Sequence, residues 1–213
     1  PPGMDLHDLP DGGAKSPFLN RELSLLAFNR RVVAQAADER VPLLERLRFL
    51  CIVSSNLDEF FEIRVAGLKE QIRLGSHSAD NDGLAPQEVL RSVALQAHTL
   101  IAEQYALLNG EILSALRKEG VVIYRRGEWT AEQRAWMREY FVREVMPVLT
   151  PIGLDPAHPF PRVLNKSLNF AVELEGKDAF GRSGAAAIVQ APRALPRVIR
   201  LPQELAGASH GFV

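Results

Sequence analysis

The chain has 213 residues, 46% hydrophobic and 24% charged, with a formal net charge of −1 and a pI near 6.6. That is ordinary globular composition, enough for one large domain or two small ones. Near-neutral charge argues against whole-chain attraction to nucleic acid, and no apolar run approaches the roughly 20 residues of a transmembrane segment.

A single cysteine, Cys51, excludes an intrachain disulfide and fits a reducing, cytoplasmic setting, with peripheral contact to a membrane left open. Residues 1–17 lack periodicity and are rich in Pro, Gly and Asp, so a mobile tail is expected. Helical patterning then begins, with Ser24 as the expected N-cap and Leu25, Phe28, Val32, Val33 and Ala36 on one stripe. Pro42 fits the first position of a second helix. Leu43, Leu47, Leu50 and Cys51 form its stripe, and Leu44, Phe49, Ile52 and Val53 widen it. A helix apolar nearly all round belongs at the centre of a bundle.

The polar run Ser54-Ser55-Asn56 interrupts this pattern. Asn56 reads as the N-cap of a third helix, with Glu59 in the capping-box position and Phe60, Phe61, Val65, Leu68 and Ile72 on its buried face. Residues 75–85 read as a loop. Pro86 starts a long helix to about Lys118, with Leu90, Ala94, Ala97, Ile101, Leu108 and Ile112 in step through the turn-like pair Asn109-Gly110.

Gly120 is a helix stop, and residues 121–124 are a strand candidate. Thr130-Ala131-Glu132-Gln133 is a capping box that opens a helix to about Val145. Residues 146–163 carry five prolines and read as an ordered loop. Strand candidates follow at 167–173, 185–191 and 197–201, with Leu168, Phe170 and Val172 alternating as in a sheet with one wet face. Residues 210–213 resemble the approach to a further strand. The expected class is α+β: an all-helical unit over 18–120, then a mixed unit over 121–213 that looks cut short.

Few residues offer chemistry. The Asn56 amide could cap a helix or pair with an adenine edge, donating and accepting at once. Asp58 and Glu59 could act as an acid–base pair or magnesium ligands, or simply stabilise a helix start. Arg64 could meet a phosphate or an ion-pair partner. The five histidines, His7, His77, His98, His158 and His210, show no metal-ligand spacing, and Cys51 reads as a small hydrophobe. No phosphate loop, dinucleotide fingerprint or nucleophile elbow is present. Neither a catalytic set nor a metal site is assigned.

The segment Ser54-Ser55-Asn56-Leu57-Asp58-Glu59-Phe60-Phe61 closely resembles the N-terminal domain of family-1 polyphosphate kinases, the ATP–polyphosphate phosphotransferases. Phe18-Leu19-Asn20-Arg21-Glu22-Leu23-Ser24 with Phe28-Asn29, and Pro42-Leu43-Leu44-Glu45-Arg46-Leu47-Arg48-Phe49-Leu50, resemble the same domain. Leu149-Thr150-Pro151-Ile152 and Leu164-Asn165-Lys166-Ser167-Leu168-Asn169 resemble the following head domain. The likeness covers about residues 18–205. It implies that Asn56 contacts the adenine of ATP. It further implies a homo-oligomeric enzyme that moves the ATP γ-phosphoryl reversibly to polyphosphate through a phosphohistidine, with magnesium.

Family members are much longer and carry that histidine, the phosphate-holding arginines and the magnesium site in C-terminal domains. The His-x-x-Thr-Gly-Asn-Tyr-Asn segment of those domains is absent here. The expectation is therefore an N-terminal piece with an incomplete head domain, inactive by itself. The rival reading is a self-contained helical interaction module with no nucleotide role.

Overall fold

The computed structural model describes residues 18–75, 82–155, 157–176 and 186–213. The expected tail at 1–17 and most of the loop at 75–85 lie outside them. The chain divides into two compact units, one ending at Glu119 and the other running from Gly120 to Val213.

The first unit is helical. α1, Arg21–Ala37, packs on α2, Leu43–Glu59, and on α4, Pro86–Leu107. Asn20, not Ser24, caps α1: its Oδ1 accepts from the Leu23 N–H at 2.9 Å. The Ser24 hydroxyl instead donates to the Asn20 carbonyl at 2.7 Å. The buried line of α1 is Leu26, Asn29, Val33 and Ala36, and Phe28 is exposed. The expected stripe was thus rotated, because the polar Asn29 sits where an apolar residue would have marked the true face.

α2 departs from expectation in the same way. Its buried line is Arg46, Leu50, Val53 and Leu57. Cys51 is exposed, as are Leu44 and Ile52, so this helix has a wet face and Cys51 is not core. The line begins with an arginine whose Nε donates to the Ala36 carbonyl at 2.7 Å and whose Nη2 meets Glu111 at 3.0 Å. A buried arginine held this way keeps its hydrogen bonds while its aliphatic stem packs.

Asn56 is not an N-cap. α2 runs through it to Glu59 and continues in right-handed helical backbone as a π-helical segment, Phe60–Val65, into α3, Ala66–Arg73. Glu59 consequently has no capping role. Ser and Asn disfavour helix interiors because they offer the backbone competing hydrogen bonds. Tertiary partners occupy those groups here: Gln104 donates to the Ser54 hydroxyl at 2.7 Å and to the Leu50 carbonyl at 3.0 Å. Asn56 Nδ2 donates to Asn29 Oδ1 at 2.9 Å. Of the expected third-helix face, Phe60, Val65 and Leu68 are buried, whereas Phe61 is exposed and meets Phe60 edge-on at 5.6 Å.

The long helix from Pro86 does cross Asn109-Gly110. It does so as a second π-helical segment, Leu108–Ile112, leading into α5, Leu113–Lys118. Its buried line is Val89, Val93, Ala97, Leu100, Gln104 and Leu107, one residue out of phase with the expected stripe over most of its length. Gln104 masked that line, as Asn29 did in α1. Gly120, at φ +77°, ends the helix in the left-handed conformation that glycine adopts without strain.

The second unit is α+β. β1, Val121–Ile123, and β5, His210–Phe212, form a parallel pair. Residues 197–201 do not form a strand; Arg200 makes one antiparallel bridge to Phe212, and Pro202 ends the pairing. Thr130 caps α6, Ala131–Tyr140, in the expected box, with Gln133 accepting from the Thr130 N–H at 3.0 Å. A π-helical segment, Phe141–Val145, continues it. β2, Pro151–Leu154, lies inside the stretch expected to be loop. Pro151 is its first residue on an edge strand, where a missing donor costs no ladder bond. β3, Asn169–Glu173, and β4, Ala186–Gln190, complete an antiparallel sheet in the order β2-β4-β3. A short α7, Gln203–Ala206, precedes β5.

Candidate functional site

A cavity of about 310 Å³ opens on the first unit between α1, the end of α2 and the π-helical segment that follows. That is the small end of the range for ligand pockets, roughly 300–1,000 Å³. Leu25, Phe28, Phe60 and Ile63 give it apolar walls, and Asn56, Asn29, Glu59, Arg21 and Arg64 supply polar groups. Ile63 and Arg64 come from the π-helical turn. There the Ala66 N–H reaches back to the Phe61 carbonyl, five residues earlier. The wider turn shifts side-chain phase relative to α2, a device frequent at functional sites.

Asn56 stands half-buried at this cavity, and its amide is held from behind. Asn29, only 3% exposed, donates its Nδ2 to the Leu25 carbonyl at 3.0 Å and presents Oδ1 to Asn56 Nδ2. One Asn56 N–H is thereby used. The other N–H and the Oδ1 remain for a ligand, the pair of groups that a purine edge can meet together. Phe28 offers a half-exposed aromatic face nearby, with the Arg31 guanidinium 5.7 Å from its ring centre.

Arg64 is an ion-pair partner rather than a free cation. Its Nε donates to Glu22 Oε1 at 3.1 Å, its Nη2 meets the same oxygen, and Glu22 is buried. This pair also borders a smaller cavity of about 130 Å³ lined by Asn20, Gln71 and Pro86. Asp58 and Glu59 are exposed in the helix interior, and neither begins a helix. His98 is exposed on α4, and His158 lies 3.4 Å from Asp155 in the second unit. His7 and His77 fall outside the described residues.

Among the described residues no three His, Cys, Asp or Glu side chains converge on a metal-sized site. Sequence reading singled out Asn56 and missed Asn29 as a member of the site. The signal that could have found it is a lone amide on the line Leu26, Asn29, Val33, Ala36, because a polar group on a buried face needs a partner.

Comparison with known proteins bears on the whole chain. Residues 18–124 match the polyphosphate kinase N-terminal domain, and residues 132–213 match the polyphosphate kinase middle domain. A polyphosphate kinase of Burkholderia ambifaria is 61% identical over 197 residues, covering 92% of this chain and 29% of that protein. One from Burkholderia vietnamiensis is 60% identical over 200 residues, covering 94% of this chain and 29% of its own length. The crystal structure of polyphosphate kinase from Porphyromonas gingivalis superposes with a TM-score of 0.74 at 28% identity, over 93% of this chain and 29% of that one. The chain thus spans under a third of these relatives. With its first unit matching the N-terminal domain and its second the middle domain, the chain belongs to the polyphosphate kinase family.

Proposed function

We propose that this chain carries the base-positioning part of an ATP–polyphosphate phosphotransferase. Asn56 holds the adenine edge in the cavity on the first unit. Transfer of the γ-phosphoryl to a histidine, and on to the end of polyphosphate, takes place on parts of the whole protein outside this chain. Phosphoryl transfer depends on positive charge gathered at the transferring group, and among the described residues no three His, Cys, Asp or Glu side chains converge on a metal-sized site. The contribution of this chain is positional. A base fixed far from the reacting phosphate turns binding energy into orientation.

The observation that carries this reading is the Asn56 amide, fixed by Asn29 on one side and open on the other to a cavity with apolar walls. Substituting Asn56→Ala in the full-length enzyme removes one or two hydrogen bonds to the base, about 1–2 kcal/mol. Apparent ATP affinity is expected to fall by roughly 5- to 30-fold. Affinity for the polyphosphate end should stay put, since polyphosphate has no base. Steady-state kinetics with each substrate varied in turn measures both, and an unchanged KM for ATP would refute the assignment.

The whole enzyme is further proposed to be a cytoplasmic homo-oligomer. The second unit supports this: Phe170 is 51% exposed, and Leu168 and Val172, two residues to either side of it along the chain, are also uncovered, an apolar surface that a second copy would shield. Among the described residues no helix is long and apolar enough to cross a membrane.

A further inference from the structure

We infer that Asn29 is a positioning residue that makes the base site selective for a 6-aminopurine over a 6-oxopurine. The inference rests on the reading of Asn56 as the base contact and goes beyond it by assigning the orientation of that contact to a second side chain.

The argument is one of hydrogen-bond polarity. The Leu25 carbonyl can only accept, so the Asn29 atom facing it, at 3.0 Å, must be the NH₂ group. The Asn29 amide is 3% exposed and has no room to exchange this partner for water. Its oxygen therefore points at Asn56, and the Asn56 atom that meets it at 2.9 Å must be a donor. Two amides in series, anchored on a backbone carbonyl of α1, leave Asn56 with one N–H and one C=O in a fixed order at the cavity.

That order matches adenine, whose 6-amino group donates to Asn56 Oδ1 while an adjacent ring nitrogen accepts from Nδ2. A 6-oxopurine presents an acceptor where the amino group stood. Asn56 could serve it only by turning its amide over, which would set its Oδ1 against Asn29 Oδ1 and leave both without a proton between them. With ribose and phosphates held elsewhere in the enzyme, the base cannot turn over instead. Burial of the anchoring amide gives the selection its strength, because a mismatched polar pair without water is costly.

The test uses full-length enzyme with ATP and inosine triphosphate, which share ribose and phosphates and differ at the 6-position edge. The wild type is expected to favour ATP in kcat/KM by about tenfold or more, mainly through KM. Asn29→Leu fills the space without an acceptor and frees Asn56 to turn, so the ratio should fall toward one. Asn29→Asp keeps an oxygen facing Asn56 Nδ2 in either protonation state and should retain the preference even if stability drops. The ratio does not depend on the fraction of folded enzyme.

A wild-type ratio near one would overturn the inference. So would an Asn29→Leu enzyme that keeps the wild-type ratio while Asn56→Ala loses it, an outcome that leaves the Asn56 reading standing. If Asn29→Leu does not fold, loss of the preference in Asn29→Asp overturns it. An Asn56→Ala enzyme with unchanged ATP KM and unchanged ratio removes the site itself, and the inference with it.

Discussion

At the residue scale, Asn56 was expected to start a helix, yet it lies inside a continuous helix. This changes what its removal does. Asn56→Ala loses no cap, but it leaves the buried Asn29 Oδ1 without its donor, which costs about 1–3 kcal/mol, offset by about 0.5 kcal/mol of helix propensity. Chemical denaturation of the variant should therefore show a lower midpoint than the wild type as ATP affinity drops. ATP affinity measured under conditions where both enzymes are fully folded separates binding from folding. A second residue-scale prediction concerns Asp38, which follows α1. The Arg40 side chain, and then its backbone N–H, hydrogen-bond this exposed carboxylate and lower its pKa from 3.8 to about 2. A depressed folded value means that any stability it lends is present above the unfolded pKa and lost as pH falls through about 2. NMR titration should place it there, and Arg40→Ala should return it toward the ordinary carboxylate value.

At the element scale, the π-helical segments are what sequence periodicity could not reveal. Phe60–Val65 and Leu108–Ile112 each join two α-helical stretches and shift the phase of the side chains beyond them. The stripe expected from Pro86 was already one residue off the buried line ahead of Leu108, whereas Ile112, at the end of the segment, is buried as expected. The anchors beside these segments are polar: Gln104 on α4, and Arg46 on α2 bridging to Glu111 within Leu108–Ile112. Arg46→Ala would strand the Ala36 carbonyl and empty the space of a buried stem. It is expected to cost about 3 kcal/mol. Glu111→Ala should cost less than about 1 kcal/mol, because that carboxylate is 59% exposed and the pair is screened on its side. Thermal denaturation of the two variants checks the ordering, and equal losses would mean that the ion pair, not the buried stem and its carbonyl bond, holds the helices together.

At the scale of the whole molecule, the division of labour gives its own prediction. The chain alone, purified and supplied with ATP and magnesium, is expected to make no polyphosphate, measured as phosphate from ATP entering acid-insoluble polymer; sustained synthesis would show that the catalytic residues lie within these 213. Much of the organisation was legible in advance. The change from helical to mixed character near Gly120, the Thr130 capping box and the strand at β4 depend on local signals: a positive-φ glycine, a side-chain oxygen three residues from its partner, a run of small and β-branched residues. The family likeness was also written in the chain, because it rests on residue order alone. What the sequence could not decide was which face of each helix is buried, whether Ser54-Ser55-Asn56 breaks α2, and that Asn29 stands behind Asn56. Those depend on partners 27 to 54 residues away, Asn29 for Asn56 and Gln104 for Leu50 and Ser54. Local propensity differences of about 0.5 kcal/mol per residue yield when such partners satisfy the polar groups, and only the tertiary structure brings those partners within reach.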